Sequence, residues 1–556
     1  MSTVISPRAR LVDLLWQLKQ AYDQSNDKDG SLHDVRFIHF NTLLNDDGYR
    51  NEIIARSALS KNRKIKQLGM QLQQLNLDGV LLHKRSSNLP AGEPLILNPD
   101  IAETLGQQRR SNRRTLPFAF ALVALVVMAS LATSGYLYRH DLRAMIEGRE
   151  VIQNSIVGVH VWGADRTWVL DGLVFVEPGS TLTIEAGAQI KGLPGSALIV
   201  TRGAQIFSRG TATQPVVFSS AQPQGARRAG DWGGVVLLGS APINKASANI
   251  EGISESDARG QFGGDAPESS CGLLEYTRIE FAGYEISSDN ELNGLTLGGC
   301  GAGTIVRYVQ VHRGLDDGIE VFGGNVDMTH LVITGANDDS LDWDMGWRGR
   351  VQFMVIEQYS SVGDNAFEGD NNKNQPDALP RSAPTIYNAT LVSPRSREKH
   401  HRAMTIRHGS GGEFRNIVVQ GFSGESIDIR GTESAYNTLT GGLSFANMLI
   451  YDIGSRGITW FEDEQMSRDD DDGFNEREYF SQAERKIAFG TDPMLPREST
   501  SMTQPSFAPA TRSPARNNAA RPPAGEFWDE AADYIGAIKP GSLNSWVDNW
   551  AAFPIN

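Results

Sequence analysis

The 556-residue chain contains only two cysteines, Cys271 and Cys300. Two cysteines are too few for a disulfide-stapled scaffold or for a four-ligand structural zinc site. The sequence also lacks a Walker phosphate loop, a His-Glu-x-x-His helix and a Gly-x-Ser-x-Gly elbow. Nucleotide hydrolysis, zinc-protease chemistry and serine-hydrolase chemistry therefore have no local support.

Positive charge is scarce relative to negative charge. The 52 Lys and Arg residues are outnumbered by 66 Asp and Glu residues, which gives a formal net charge of −14. Phosphate binding needs a basic surface, so this balance argues against nucleic acid as the main partner. Cations, cationic surfaces or neutral sugars fit it better. The chain is also too long for one ordinary compact core, whereas a solenoid grows in one dimension.

A sequence repeat lies in the middle of the chain. Residues 315–320 (LDDGIE), 337–342 (NDDSLD) and 363–368 (GDNAFE) set acidic and apolar residues at equivalent positions, each block after a short apolar strand. A period in the twenties with one alternating strand per unit is typical of a solenoid. Fifty-seven glycines suit the many tight turns between such strands. We therefore predict a mainly β chain with a right-handed parallel β-helix over residues 150–465.

Stacked strands convert this repeat into columns of side chains about 4.8 Å apart. Alternation sends Ile319, Leu341 and Phe367 inward, and their successors outward. The same pattern continues at Ile406, Ile427 and Ile458, which would make Arg407 and Asp428 further outward members. The predicted ligand-binding residues on this outer face are Glu320, Asp342, Asp344, Glu368, Asp370, Arg407, His408, Asp428 and Arg430.

Carboxylates at this spacing cannot all ionise cheaply, so one of them takes up a proton or the group binds a cation. Calcium accepts six to eight oxygen ligands. We predict that Asp342, Asp344, Glu368 and Asp370 contribute oxygens to it, with calcium as the candidate cofactor. The cationic residues of the set, Arg407, His408 and Arg430, would orient an acidic sugar or offset the negative charge of the carboxylates. Stacking surfaces for a sugar are expected from Trp343 and Trp347.

A structural role is the alternative for the acidic residues at the turns. Asp side chains accept hydrogen bonds from backbone N–H groups in tight turns. This interpretation fits Asp316, Asp317, Asp338 and Asp339, which precede the strands. It does not explain acids that repeat within the strands.

The N-terminal part predicts a membrane anchor. Residues 116–138 are an uncharged run long enough for a spanning helix, which needs about 20 residues. Four arginines precede the run, so the positive-inside rule places residues 1–115 in the cytoplasm. We expect a helical segment at 1–83, a linker at 84–115, and a single-pass protein of the bacterial inner membrane with its C-terminal domain in the periplasm. A signal peptide cleaved near residues 132–134 is the alternative.

Two smaller expectations concern charge and the C-terminal region. Lys61, Arg63, Lys64 and Lys66 form a basic cluster that either contacts anionic lipid or a regulator, or is a solvated helix face.

Residues 466–526 read as an irregular, low-complexity linker. Residues 527–556 would then cap the end of the solenoid.

Several motifs resemble a family of Gram-negative cell-envelope proteins that have a pectin-lyase-like β-helix. They are residues 230–234 (GDWGG), 241–244 (APIN), 290–296 (NELNGLT), 347–353 (WRGRVQF) and 532–536 (ADYIG), together with the acidic blocks. The resemblance implies the fold and an envelope location, and it implies no activity. A looser similarity to galacturonases rests on paired aspartates and His408, but the Asn-Thr-Asp, Gly-His-Gly and Arg-Ile-Lys motifs of that family are absent. No catalytic residue is carried over from it.

The preferred hypothesis is a membrane-anchored extracytoplasmic β-helix that binds a ligand along its acidic face, and we expect that ligand to be a glycan, either a polysaccharide or an envelope glycan. The alternatives are a periplasmic polysaccharide lyase or glycoside hydrolase, and a non-catalytic envelope scaffold. An oxidising compartment would let Cys271 and Cys300, on adjacent turns of the solenoid, form a disulfide.

Overall fold

The structure is a computed structural model. It describes residues 11, 14, 15, 17–19, 21, 22, 38, 43 and 47–77, and residues 148–556 except 154, 288–289, 396–398, 455 and 462–472. The chain forms two compact units, Met1–Ile146 and Glu147–Asn556. Within the described ranges no helix is long and apolar enough to cross a membrane. The predicted span at 116–138 lies outside the described residues.

The N-terminal unit is helical. Helix α1 spans Asp47–Ala58 and helix α2 spans Arg63–Leu77. The Oδ1 atom of Asn62 accepts hydrogen bonds from the backbone N–H groups of residues 64 and 65, and this caps the N-terminus of α2. An apolar stripe on α2, formed by Ile65, Leu68, Leu72 and Leu75, packs into a small core with Ile53 and Ile54 of α1.

The second unit consists of short strands, which are parallel in two long sheets and antiparallel in two small two-stranded sheets. The first half contains β1 (Arg149–Ile152), β2 (Val159–Trp162), β3 (Thr167–Leu170), β4 (Leu173–Val176), β5 (Thr181–Ile184), β6 (Gln189–Gly192), β7 (Ala197–Val200), β8 (Gln205–Arg209), β9 (Val216–Ser220), β10 (Val235–Leu238), β11 (Ala248–Asn249), β12 (Gln261–Phe262), β13 (Gly272–Glu280), β14 (Glu285–Ser287) and β15 (Asn290–Glu291). The second half contains β16 (Leu295–Gly298), β17 (Ile305–His312), β18 (Ile319–Phe322), β19 (Asp327–Thr334), β20 (Leu341–Asp344), β21 (Arg350–Glu357), β22 (Asn365–Gly369), β23 (Thr385–Val392), β24 (Arg402–Ile406), β25 (Gly412–Gln420), β26 (Asp428–Ile429), helix α3 (Thr432–Thr440), β27 (Leu443–Tyr451), helix α4 (Glu476–Phe480) and β28 (Ile487–Phe489).

These strands stack into two long sheets around one continuous core. A 9-stranded sheet runs in the order β26-β24-β22-β20-β18-β16-β10-β7-β4, and we call it the short-strand sheet. A 15-stranded sheet contains the longer strands β13, β17, β19, β21, β23, β25 and β27. Every pairing between consecutive turns of the solenoid in these two sheets is parallel, and both sheets line one apolar core. The predicted parallel β-helix is confirmed.

The longer strands bend at one position that repeats from turn to turn. Seven residues there have a positive φ between 44° and 64°: Tyr276, Tyr308, His330, Phe353, Asn388, Asn416 and Asn447. Strand pairing skips these residues and resumes on both sides of them. A left-handed residue turns the chain sharply, so the long sheet is folded along this column. The 15-stranded sheet thus covers two sides of the solenoid.

The C-terminal segment, residues 490–556, packs along the folded sheet, and we call it the strap. Asn447 donates from Nδ2 to Asn518 O (2.6 Å), and Asn416 donates to Ala520 O (2.8 Å). At the other end, Gln310 donates to Ala552 O (2.7 Å). The strap thus runs back along the sheet from β27 towards β13. The prediction called residues 466–526 an irregular linker and residues 527–556 an end cap. Apolar side chains of the strap are instead buried against the sheet face, so residues 490–526 are not a free linker and residues 527–556 lie along the sheet.

Candidate functional site

The outer face of the short-strand sheet carries a column of polar residues. Strand register aligns Glu320 with Asp342, and Asp342 with Glu368. These three residues, as predicted, are neighbours on consecutive strands, and we call them the acid column. The column extends to Thr296 on one side and to Thr405 and Asp428 on the other.

The register beyond Glu368 differs from the prediction. Phe367 pairs with Met404 and Glu368 pairs with Thr405, so the expected inward Ile406 and outward Arg407 were each placed two residues too late. Each turn of the solenoid has a strand of the other sheet at this point, here β23, but the segments that connect β22, β23 and β24 are longer than those of the preceding turn. This extra connecting length shifted the sequence alignment. Asp428 remains in the column, because Thr405 pairs with it.

Arg407 and His408 pair with two of the four carboxylates that were predicted to bind calcium. Arg407 forms an ion pair with Glu368, and its Nε lies 2.8 Å from Asp370 Oδ1. His408 Nδ1 lies 2.8 Å from Asp370 Oδ2. Two of the four predicted calcium ligands therefore face a guanidinium group. The third, Asp344, lies on the next strand, where its Oδ1 accepts the Met345 N–H and Lys245 Nζ is 4.0 Å away.

Arg430 pairs within its own turn of the solenoid. Its Nη2 lies 2.6 Å from Asp428 Oδ2, and Arg402 Nε lies 3.6 Å from the same oxygen. These three residues make a separate ionic group at the β26 end of the face. They lie at the end of the extended column, one strand beyond Thr405, and away from the carboxylates of the acid column itself.

The turn aspartates form a ladder of their own. Asp317 Oδ1 accepts the Asp339 N–H at 2.9 Å, and Asp339 Oδ1 accepts the Asn365 N–H at 2.6 Å. Both aspartates are buried, at 7% and 4% exposure. Each carboxylate thus binds a backbone N–H of the next turn, which is the turn-stabilising role expected of these residues.

A carboxylate cluster forms where this ladder meets the acid column. Asp317, Glu320 and Asp342 each offer an oxygen, and the three atoms lie within 4.8 Å of one another. Asn293 donates to Glu320 and also accepts the Asp317 N–H. The Oδ1 atom of Asp342 is buried and has no hydrogen-bond partner among the described residues. The sequence interpretation assigned Asp317 only to a turn and missed Asn293 and this convergence.

Burial dominates the electrostatics of the cluster. It raises the pKa of Asp342 well above its usual value, and the charges of Glu320 and Glu368 raise it further. Burial raises the pKa of Glu320 in the same way. For Glu368, burial outweighs the ion pair with Arg407 and raises the pKa to about 7. The face was expected to be open to solvent, but its carboxylates are half-buried or buried.

The cluster lies at the edge of an apolar cover. Towards β4, the outer face of the short-strand sheet is apolar and packs against Ile250, Ile253 and Phe262 of an adjoining loop region. Phe322 is the last apolar residue of that patch, and Asp344 occupies the matching position on the next strand. Trp343 and Trp347 are fully buried in the core, so the prediction that they offer stacking surfaces was wrong.

Cys271 and Cys300 form a disulfide, with Cα atoms 5.8 Å apart. The bond joins the start of β13 to the turn that follows β16. It lies beside the loop region that covers the apolar half of the short-strand sheet.

Comparisons with known proteins bear on the fold. The sequence matches the model of a family described as pectate-lyase like beta helix domain over residues 155–483. No curated protein matches the chain significantly. Among solved structures, the Dettilon tailspike protein (gp208) aligns at 13% identity and a TM-score of 0.21 over 51% of this chain, and the chain spans 63% of the tailspike's length. Since the family model covers more than half of the sequence, the chain belongs to the family of proteins with a pectate-lyase-like β-helix domain.

Proposed function

We propose that the β-helix binds a polysaccharide at the carboxylate cluster. The observation that carries the proposal is the convergence of Asp317, Glu320 and Asp342 around a buried oxygen that lacks a partner. Buried polar atoms without partners are rare in proteins and are commonly satisfied by a ligand, an ion or water. Sugar hydroxyls donate hydrogen bonds to such oxygens. Membership in a pectate-lyase-like family supports a sugar polymer as the ligand class.

Calcium fits the same residues. It binds oxygen ligands in flexible geometry at 2.3–2.6 Å, and three carboxylates from adjacent turns of the solenoid supply the type of ligand it requires. Asp317, Glu320 and Asp342 would hold the ion. Calcium would neutralise the cluster and coordinate ring or carboxylate oxygens of a bound sugar. Glu368 and Asp370 are excluded from the proposed ligand set because Arg407 already neutralises them.

A glycan array tests the binding proposal with full-length protein, in calcium and in chelator. We expect binding to one class of polymer, and at least tenfold weaker binding by Asp342→Asn. The matched control is Glu268→Gln, which removes one acidic charge from an exposed side chain outside the short-strand sheet. Equal binding by Asp342→Asn and the control would exclude the carboxylate cluster as the binding site.

Hydrolysis or lyase chemistry is the second candidate function. A general acid works best when its pKa lies near the working pH, and the pKa of Glu368 is raised to about 7. This observation favours an acid–base role for Glu368 next to Asp342. Incubation of the bound polymer with the protein, followed by assays for new reducing ends and for unsaturated ends, distinguishes the two reactions. The absence of both products with a polymer that binds would leave binding alone.

We also propose that residues 116–138 anchor the protein in the inner membrane, with the β-helix in the periplasm. The uncharged run and the arginines before it support this topology. A reporter fused after Asn556 is expected to be active in the periplasm, and one fused near Leu97 in the cytoplasm. Activity of the C-terminal fusion in the cytoplasm would reverse the topology.

A further inference from the structure

We propose that the N-terminal helix pair binds double-stranded DNA, with the exposed face of α2 in the major groove. This face, which we call the α2 face, consists of Arg63, Lys66, Gln67, Met70, Gln71 and Gln74. All six side chains are exposed, and they lie opposite the buried apolar stripe of the same helix. The proposal is independent of the polysaccharide site.

The end of α1 contacts the middle of α2. A Cβ atom on Gly69 would lie 2.4 Å from Ala58 N and 2.7 Å from Ser57 C, so the glycine lets the two backbones approach closely. The short turn 59–62 joins the two helices. Two helices joined by a short turn, the second with an exposed polar face, match the elements of a helix-turn-helix, whose second helix enters the major groove.

The charge of α2 is unusual for this chain. Helix α2 contains no acidic residue, although the whole protein has a net charge of −14. Arg63, Lys64 and Lys66 lie in or next to its first turn, where cations oppose the helix dipole. They form no ion pair within the described part of the chain, whereas Arg56 of α1 pairs with Glu52 at 3.1 Å. Unpaired cations in an unfavourable position indicate an anionic partner.

The other residues of the α2 face favour DNA over a lipid surface. A helix that binds lipid buries its apolar side in the membrane, but the apolar side of α2 is occupied by the core of the helical unit. Met70 is the only apolar residue on the α2 face, and three glutamines accompany it. Glutamine amides pair with adenine edges in the major groove, while Arg and Lys contact guanine or phosphates. The expectation of no nucleic-acid partner came from the charge of the whole chain, and α2 is a local exception to it.

Fluorescence anisotropy with a randomised duplex pool tests the proposal on full-length protein in a neutral detergent. We expect Arg63→Gln combined with Lys66→Gln to weaken binding about tenfold or more at physiological salt. The slope of log affinity against log salt should fall by about two, because each lost phosphate contact contributes about 0.9. The matched control is Arg512→Gln with Lys539→Gln, which removes two exposed cations from the strap.

The same proteins are then mixed with vesicles of phosphatidylcholine and phosphatidylglycerol in equal parts. Loss of vesicle binding in the α2 variant, with duplex binding unchanged, would overturn the proposal in favour of lipid. Equal effects of the α2 and control variants on duplex binding would also overturn it.

A second variant separates sequence recognition from charge. Gln67→Ala with Gln71→Ala leaves every cation in place, so the slope of log affinity against log salt should match that of the wild type even where the affinity falls. After repeated selection from the pool, the wild-type protein should enrich a short motif, and this variant should lose or change that enrichment. Identical enrichment by both proteins contradicts base contacts by the α2 face.

Discussion

The carboxylates in and beside the acid column differ in how they are satisfied. Asp317 and Asp339 accept backbone N–H groups from the next turn of the solenoid. Glu368 is paired with Arg407. Asp342 differs from these, because its buried Oδ1 has no partner among the described residues. A buried carboxylate without a partner favours protonation or coordination, so Asp342 is the residue on which the proposed ligand binding depends most.

Because the pKa of Glu368 is raised, the loss of folding stability caused by its ionisation depends on pH. The pKa rises from 4.5 to about 7, so the folded state binds this proton more tightly than the unfolded state. The stability that the proton provides is present below about pH 4.5 and is lost as pH rises through about 7. Glu368→Gln imitates the protonated form at every pH. We expect its unfolding free energy to exceed that of the wild type increasingly between pH 5 and pH 8, by up to about 3 kcal/mol in chelator.

The test of this prediction is the difference in unfolding free energy between the variant and the wild type, and not the total stability of either protein. Burial lowers the pKa values of His312, His330 and His401 to about 3, 4 and 4, although His330 is only half-buried, so their effect on total stability has the opposite sign over part of this range. Denaturant titrations of wild type, Glu368→Gln and the exposed control Glu268→Gln would measure the difference. A gap that stays constant from pH 5 to pH 8 would contradict the raised pKa of Glu368.

At the scale of elements, the column of residues with positive φ in the longer strands decides where the long sheet folds. Its aromatic half stacks, with ring centroids 4.3 Å apart for Tyr276 and Tyr308 and again for Tyr308 and His330. Its asparagine half holds the strap through side-chain amides. Asparagine tolerates a left-handed backbone better than most residues, and its amide both donates and accepts. One residue type thus provides both the bend and the attachment.

Asn416 allows these two contributions to be separated. Its side chain donates to Ala520 O at 2.8 Å and accepts the Ala520 N–H at 2.7 Å, and its φ is 57°. Asn416→Gly loses the hydrogen bonds but keeps the backbone freedom, whereas Asn416→Ala loses both. We expect the alanine variant to be less stable than the glycine variant by about 1–2 kcal/mol in denaturant titrations. Equal stability of the two variants would mean that backbone conformation at the bend has little energetic weight.

At the scale of the whole molecule, the sequence predicts what is local and periodic. The alignment of Glu320, Asp342 and Glu368 follows from alternation and repeat spacing alone. The position of Arg407 does not, because the segments on either side of β23 are longer than those of the preceding turn and break the repeat spacing. The strap was also missed. Its contacts join residues as distant as Gln310 and Ala552, and no periodicity in the sequence encodes such pairs.

Removal of the strap should expose the apolar face that it covers. Val332, Val355, Val418 and Leu449 are buried on the outer side of the long sheet, beneath residues of the strap. We expect a chain that ends at Gly490 to keep its β signal in circular dichroism, to bind a hydrophobic dye and to self-associate. Val332→Thr with Val355→Thr should partly restore the monomer in the shortened chain. A shortened chain that is monomeric and does not bind dye would show that the strap is dispensable for covering this face.

The direction of the strap has a consequence for how the protein is made. Synthesis delivers the chain from its N-terminus, so the turns containing Arg278 and Gln310 emerge well before the strap. Their partners, Trp550 and Ala552, follow 272 and 242 residues later. The outer face of β13 and β17 therefore stays uncovered while that length of chain is made. We expect the nascent β-helix to be prone to association during this interval, because its apolar outer face is exposed.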